Sequence, residues 1–281
     1  MSKYRLSVAL LLVAAGLWLA TPPALHYVPG EPLPELPAIA LVDGAEEREL
    51  RVNGDDRSEW VVVALHGFSA TRQETAPLAE TVATALGANL FEARLSGHGQ
   101  SQQAMAGVSA EHWLRDAANA LRRGAELGDK LVVIGTSTGA TLIAALLDQD
   151  VMQPVHTVVM ISPNFAPRDA RAAWLTRPAG PLIARLTAGD TRCWEPRNEL
   201  QGKYWSTCYP MAAAVEMMRL VNLANRMLPG TLSQRLLMFY SPEDEVVSPK
   251  AARSIFDATV APIKQAVEIR DADDPSQHVL A

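Results

Sequence analysis

The segment Gly135-Thr136-Ser137-Thr138-Gly139 constrains this chain more than any other. It follows the apolar run Leu131 to Ile134 directly and leads straight into a small-residue helical stretch, Ala140 to Leu147, with Ala144 and Ala145 inside it. A β-branched strand, a turn with glycine on both sides of a serine, and a helix able to pack close to that strand are the parts of a nucleophile elbow. Glycine lets strand and helix approach, and the sharp turn holds a hydroxyl out of the sheet where it can attack. Ser137 is therefore the candidate nucleophile.

The other apolar segments agree with an elbow set in a sheet. Trp60 to Leu65 is continuously apolar, as expected for a central strand covered on both faces. Shorter strands are predicted at Glu47 to Val52, Leu90 to Ala93, Thr157 to Ile161, Leu236 to Tyr240 and Ala266 to Ile269. Helical periodicity marks Gln73 to Leu86, Glu111 to Leu127 with Ser109 as its N-cap, and Met211 to Leu228. Strands alternating with helices imply an α/β fold with a largely parallel sheet. Residues 163–230 are too many for a simple crossover and read as an inserted helical lid, which leaves 46–162 and 231–281 as the two parts of the core. Within the lid, Met211, Val215, Met218 and Val221 recur at helical spacing and read as packing. Arg168, Arg171, Arg177, Arg185, Arg192 and Arg197 read as its solvated surface.

At 281 residues and 48% hydrophobic, the chain suits one domain with an insertion. A net charge of -6 without a dense Lys/Arg block excludes nucleic acid as a partner. Lys3 and Arg5 precede an apolar run from Leu6 to Ala20, closed by Thr21-Pro22-Pro23, so residues 1–28 read as an export signal or membrane anchor. Trp18 two before Ala20, and Pro22 two before Ala24, make poor small-x-small cleavage sites and favour an uncleaved anchor. The two cations would keep the N-terminus cytoplasmic, so the domain is expected to face the periplasm or exterior, or to be secreted. Pro29, Pro32, Pro34 and Pro37 mark 29–45 as an extended spacer holding the domain off the membrane. Cys193 and Cys208, the only cysteines, would meet an oxidising compartment, and a local disulfide is expected. Neither has a metal-like partner nearby, so zinc is not supported.

Acyl transfer through serine needs a base, an acid that fixes the base, and donors for the tetrahedral oxyanion. Leu236 to Tyr240 runs into Ser241-Pro242-Glu243-Asp244-Glu245, which puts Asp244 beyond a strand's C-terminal end, where open α/β sheets build their sites. Glu243 and Glu245 rival it by charge. His278 is the only histidine downstream of Asp244, and the order Ser, Asp, His is the one this elbow requires.

Five ordered motifs, His66-Gly67-Phe68, Arg94 through Ser101 (RLSGHGQS), the elbow, Ser241-Pro242-Glu243-Asp244 and Ser276-Gln277-His278-Val279-Leu280, together resemble the α/β-hydrolase superfamily. The similarity is closest to its monoacylglycerol-lipase-like and serine-aminopeptidase-like branch, and it covers the chain from about Trp60 onwards, the lid apart. It implies an α/β-hydrolase fold with Ser137 as nucleophile, His278 as base, Asp244 as orienting acid, and the backbone N–H groups of Phe68 and Thr138 as the oxyanion hole. His66 and His98 would structure loops; His112 and His156 have no partner visible in sequence. Serine at the elbow sets this chain apart from the haloalkane dehalogenases and epoxide hydrolases of the superfamily, which carry aspartate there. The family normally continues past the base into a terminal helix, whereas this sequence runs only to Ala281, so a weakly anchored His278 is expected. The implied activity is hydrolysis of carboxylic esters such as monoacylglycerols; amide or peptide hydrolysis on the same triad, and a binding protein that has lost turnover, are the alternatives. No motif implies a metal or an organic cofactor.

Overall fold

The computed structural model describes residues 21–52, 54 and 57–280. Its centre is a seven-stranded sheet in the order β1 (Arg48–Leu50), β3 (Asn89–Glu92), β2 (Ser58–Leu65), β4 (Gly128–Thr136), β5 (Val155–Ile161), β8 (Arg235–Tyr240), β9 (Lys264–Glu268). Only β1 runs antiparallel to its neighbour. Apolar residues fill both faces because both are covered. Val61, Val63 and Leu65 of β2, with Leu131 and Val133 of β4, point into one core with Trp113, Leu114 and Leu121 of α2 (Ala110–Leu127). Val62, Ala64, Val132 and Ile134 point the other way, onto Ala79 and Ala83 of α1 (Leu78–Leu86). A strand of this kind has no polar face to give, which explains the unbroken run of β2.

After the elbow comes α3 (Thr138–Ala145), buried along its whole length. Between β5 and β8 the chain makes a 3-10 turn (Ala170–Thr176), α4 (Gly180–Ala188), β6 (Thr191–Cys193), α5 (Glu199–Tyr204), β7 (Cys208–Pro210) and α6 (Met211–Met227). β6 and β7 form an antiparallel hairpin in which Cys193 stands opposite Cys208, and the two sulfurs are bonded. The inserted segment is thus only partly helical. Its last helix, α6, buries Leu220, Leu223 and Ala224 in the main core beside α3, and Met211, Val215, Met218 and Val221 of its stripe are buried as well. The outer part carries exposed Trp174, Leu182, Ile183 and Leu186. A last helix, α7 (Pro249–Ala258), capped by Ser248 with Pro249 in its first turn, separates β8 from β9.

Two sequence expectations are corrected. Gln73 to Leu86 is not one helix: Arg72–Glu74 forms a 3-10 turn and the helix begins at Leu78, after Pro77, whose missing N–H and ring prevent a helix from running through it. The stretch 29–45 is irregular but does not stand off from the domain as a spacer. His112 Nε2 donates to Pro34 O (2.9 Å), Gln100 to Ile39 O (2.6 Å) and Val42 N–H to Gly99 O (2.8 Å), so the proline-rich chain lies along the core, where its carbonyls find donors. Leu25, just before it, is buried. Among the described residues no helix is long and apolar enough to cross a membrane. The anchor expected at Leu6 to Ala20 lies outside the described residues.

Candidate active site

The sheet order reverses direction at β2, from which β3 lies on one side and β4 on the other. A crevice opens at such a point beyond the carboxyl ends of the strands. Into it run the His66-Gly67-Phe68 loop from β2 and Ser137 from β4. Ser137 sits at φ +50° and ψ -112°, a conformation that costs an L residue about 1–3 kcal/mol. The surroundings enforce it: Ser137 N–H donates to Ile161 O (2.8 Å), and its carbonyl accepts from Thr141 N–H (3.2 Å) and Asn164 N–H (3.3 Å). A Cβ on Gly139 would stand 2.1 Å from Leu65 O, and one on Gly135 would stand 2.6 Å from Ala140 N, so both flanking glycines are required by close approach.

Asp244 and His278, 34 positions apart, meet at 2.8 Å between Oδ2 and Nδ1. The other oxygen of Asp244 accepts from Val246 N–H (2.8 Å) and Val247 N–H (2.9 Å), so the loop after β8 fixes the carboxylate before the imidazole does. Asp244 is buried while Glu243 and Glu245 are exposed, which decides among the three acids. Burial of His278 opposes its protonation, but the bond and charge of Asp244, with the Glu74 and Asp274 carboxylates, outweigh it and hold its pKa above the usual imidazole value.

His278 is firmly held, contrary to the expectation of weak anchoring. Asp274 folds back to accept from Ser276 Oγ (2.6 Å), His278 N–H (3.0 Å) and Val279 N–H (3.0 Å). Arg197, from the loop closed by the disulfide, pairs with Asp274 and donates to Ser276 Oγ (3.1 Å). Ser162 Oγ donates to His278 O (2.7 Å), and Ser162 follows Ile161, which bonds Ser137; two hydrogen bonds at the end of β5 therefore set base loop and elbow against one another. Among the described residues Ser137 Oγ makes no hydrogen bond to the imidazole; such bonds commonly tighten only when substrate is bound.

The expected oxyanion donors lie on the two loops that flank this pair. Thr138 opens α3, so its N–H has no intrahelical acceptor and the helix's positive end lies behind it. Phe68 is wedged by its ring, edge-on to Tyr209 of β7 (4.8 Å), Trp113 (5.7 Å) and His98 (5.9 Å). Ser206 N–H also donates to Ser69 O (2.7 Å). The disulfide-closed loop therefore braces the Phe68 loop at one end and, through Arg197, the His278 loop at the other.

Four other histidines, His66, His98, His112 and His156, do structural work. His66 accepts from Leu95 N–H (3.1 Å) and donates to Gly67 O (2.9 Å), and burial depresses its pKa to about 4. His98 donates to Ser96 O (3.0 Å), with its pKa pushed down by burial to about 3. Both stay neutral and tie the loops together. His112 is the third residue of its helix, accepting from Ser109 N–H (3.2 Å) in a capping box. His156 packs edge-on to Trp60 at 4.9 Å. Glu74, Asp274 and Ser162 are the site residues that sequence reasoning missed. The sequence signal for the first is Pro77, which forbids a helix running through Gln73 to Leu86. A groove of about 580 Å³ lined by Glu47, Glu49, Arg94, Asp116 and Arg123 lies at the β1 side, apart from these residues. Among the described residues no group of three His, Cys, Asp or Glu side chains could hold a metal ion.

A family model described as "Serine aminopeptidase, S33" matches residues 56–272, a span that includes Ser137 and Asp244 and stops before His278. No curated protein matches the chain. Among solved structures, one from work on the metagenome-derived lipolytic enzymes LipS and LipT superposes with a TM-score of 0.70 at 23% identity, over 83% of this chain and 90% of that one. The monoacylglycerol lipase of Paleococcus ferrophilus gives 0.60 at 17% identity, over 80% and 88%. A soluble variant of the Saccharomyces cerevisiae monoglyceride lipase gives 0.62 at 13% identity, over 92% and 91%. At these identities the likeness speaks for the fold, and the family match supplies the rest: the chain belongs to the serine aminopeptidase S33 family and has the α/β-hydrolase fold.

Proposed function

We propose that the protein is a serine hydrolase that cleaves carboxylic esters, monoacylglycerols and other small lipid or short esters among them, through an acyl-enzyme intermediate. One observation carries the reading: a buried Asp244–His278 pair stands at the strand ends where a serine is held on a strained elbow. Ser137 Oγ attacks the ester carbonyl carbon as its proton passes to His278 Nε2, and Asp244 holds the Nδ1–H and stabilises the imidazolium. The carbonyl electron pair moves onto oxygen, where Phe68 and Thr138 N–H receive it. Collapse breaks the bond to the alcohol, which leaves with the proton from His278. Water then repeats the sequence on the acyl-serine and releases the acid.

The lipid preference rests on the exposed Trp174, Leu182, Ile183 and Leu186 of the insertion and on the likeness to monoacylglycerol lipases. A p-nitrophenyl ester series from acetate to long acyl chains tests it, with rates expected to rise with acyl length. Activity confined to acetate would replace the lipid reading by a small-ester pocket. The family's description favours amide cleavage as the second reading. Silence on every ester with turnover of aminoacyl p-nitroanilides would establish that one instead, and ligand binding without any turnover would leave a binding protein.

We also propose that the domain works outside the cytoplasm, tethered by its N-terminal segment. The motives are Lys3 and Arg5 before the apolar run and the Cys193–Cys208 disulfide, a bond that persists in oxidising compartments. The full chain is expected in the membrane fraction after alkaline carbonate washing, with its cysteines blocked to thiol reagents until reduced. Recovery as a cytosolic protein with two free thiols would refute this placement.

A further inference from the structure

Glu74 is a buried acid at the active site that the proposed relay leaves unused. It closes the 3-10 turn Arg72–Glu74, whose start is fixed by Thr71 Oγ1 accepting from Gln73 N–H. The turn is locked by Glu74 N–H to Thr71 O (3.0 Å) and Thr75 N–H to Arg72 O (3.1 Å). This directs the side chain back beneath the loop that leaves β2. There Oε2 accepts from Gly67 N–H at 2.5 Å. A Cβ placed on Gly67 would stand 2.9 and 3.0 Å from the two carboxyl oxygens and 3.1 Å from Ser137 Cβ. Carboxyl group, loop glycine and elbow serine thus meet at one point, and Gly67 is the residue immediately before Phe68.

A buried amide left unpaired in such a place is destabilising, so some acceptor is needed. A serine or an amide side chain would serve at lower desolvation cost than an acid. The residue present is a carboxylic acid, and the charged group that faces it is His278 from the C-terminal segment, itself held against Asp244 and Asp274. Burial raises the Glu74 pKa to about 7, against the opposing pull of Gly67 N–H and of the His278 charge.

We propose that Glu74 is a positioning residue: by accepting the Gly67 N–H it fixes the His66–Gly67 peptide, and through it the next peptide of the loop, so that Phe68 N–H faces the oxyanion, while its carboxyl group faces His278. This rests on the serine-hydrolase reading above. Its electrostatic consequence has a definite sign. An ionised Glu74 favours imidazolium, so removing its charge lowers the His278 pKa and lets the base work at lower pH.

The experiment compares Glu74→Ala and Glu74→Gln with the wild-type full chain on one p-nitrophenyl ester, with thermal unfolding as the control for folding. Loss of an oxyanion donor costs about 10²–10³ in kcat, and a displaced donor should cost less. Glu74→Ala is therefore expected to lower kcat by about 10–100-fold with KM nearly unchanged. Glu74→Gln keeps the acceptor oxygen and is expected to stay within about threefold of wild type, with the acidic limb of its pH profile moved to lower pH. Wild-type kcat in the alanine variant, a loss that falls on KM, or a glutamine variant as poor as alanine would each overturn the positioning role. If Glu74→Ala does not fold, the glutamine variant decides alone, and an acidic limb that stays in place overturns the proposal. Fluorophosphonate separates the two levels of inference. Labelled wild type with an indifferent Glu74 sinks only this inference, whereas folded wild type that resists labelling sinks the serine-hydrolase reading with it.

Discussion

Ser137→Ala is expected to abolish ester turnover, lowering kcat by a factor on the order of 10⁶, the scale seen when a triad serine is removed elsewhere. Fluorophosphonate labelling should vanish with it. The fold should survive, because the turn is held by backbone bonds to Ile161, Thr141 and Asn164 and by the close approaches at Gly135 and Gly139, none of which uses the hydroxyl. Ser137→Gly sharpens the test. The native φ of +50° is strained for an L residue by about 1–3 kcal/mol and costs glycine little, against about 0.5–1 kcal/mol of extra chain entropy for glycine. Net stabilisation of about 1 kcal/mol should raise Tm by about 2–4 °C in a domain of this size while activity stays lost. An alanine variant that keeps turnover and labelling would show that chemistry happens at another residue.

The sheet was legible in the sequence wherever a strand is covered on both faces. Trp60 to Leu65, Leu131 to Ile134 and Thr157 to Ile161 each fall inside an observed strand, since burial on two faces leaves only apolar residues to read. The elbow and the meeting of Asp244 with His278 were legible for a different reason: the chemistry fixes their order along the chain. What escaped were groups whose role depends on tertiary contact. Glu74 looks like one more residue of a helix until Pro77 is allowed to end the pattern. Asp274 looks like one acid of a polar loop, yet it gathers three backbone amides, the Ser276 hydroxyl and Arg197, a residue read as solvated surface. The proline-rich stretch carried no periodicity to show that its carbonyls would find donors on the core. Helix α7 was missed as well, although Ser248 followed by Pro249 is a start signal that periodicity alone does not weigh.

Asp244→Asn is the second large effect expected, and the structure dictates how it arises. Oδ1 of Asp244 accepts from Val246 N–H and Val247 N–H, so an asparagine placed here must turn its carbonyl oxygen to those amides. Its NH₂ then faces His278 Nδ1, which has to accept rather than donate. The ring proton moves to Nε2, the nitrogen that should take the proton of Ser137, and the base is lost as a base. A swap of this kind lowers kcat by about 10⁴ without disturbing the loop. The pH profile supplies an independent sign. The Asp244 bond and charge help hold the His278 pKa above its usual value, so their loss lets the imidazole deprotonate at lower pH and moves the acidic limb of the residual activity down. Asp244→Ala should be worse for stability, because it takes the acceptor from the Val246 and Val247 amides, at about 1–3 kcal/mol for the buried Val247 N–H. An asparagine variant retaining more than about a tenth of wild-type kcat, or one whose acidic limb moves up, would mean that Asp244 serves the loop and leaves the orientation of His278 to other groups.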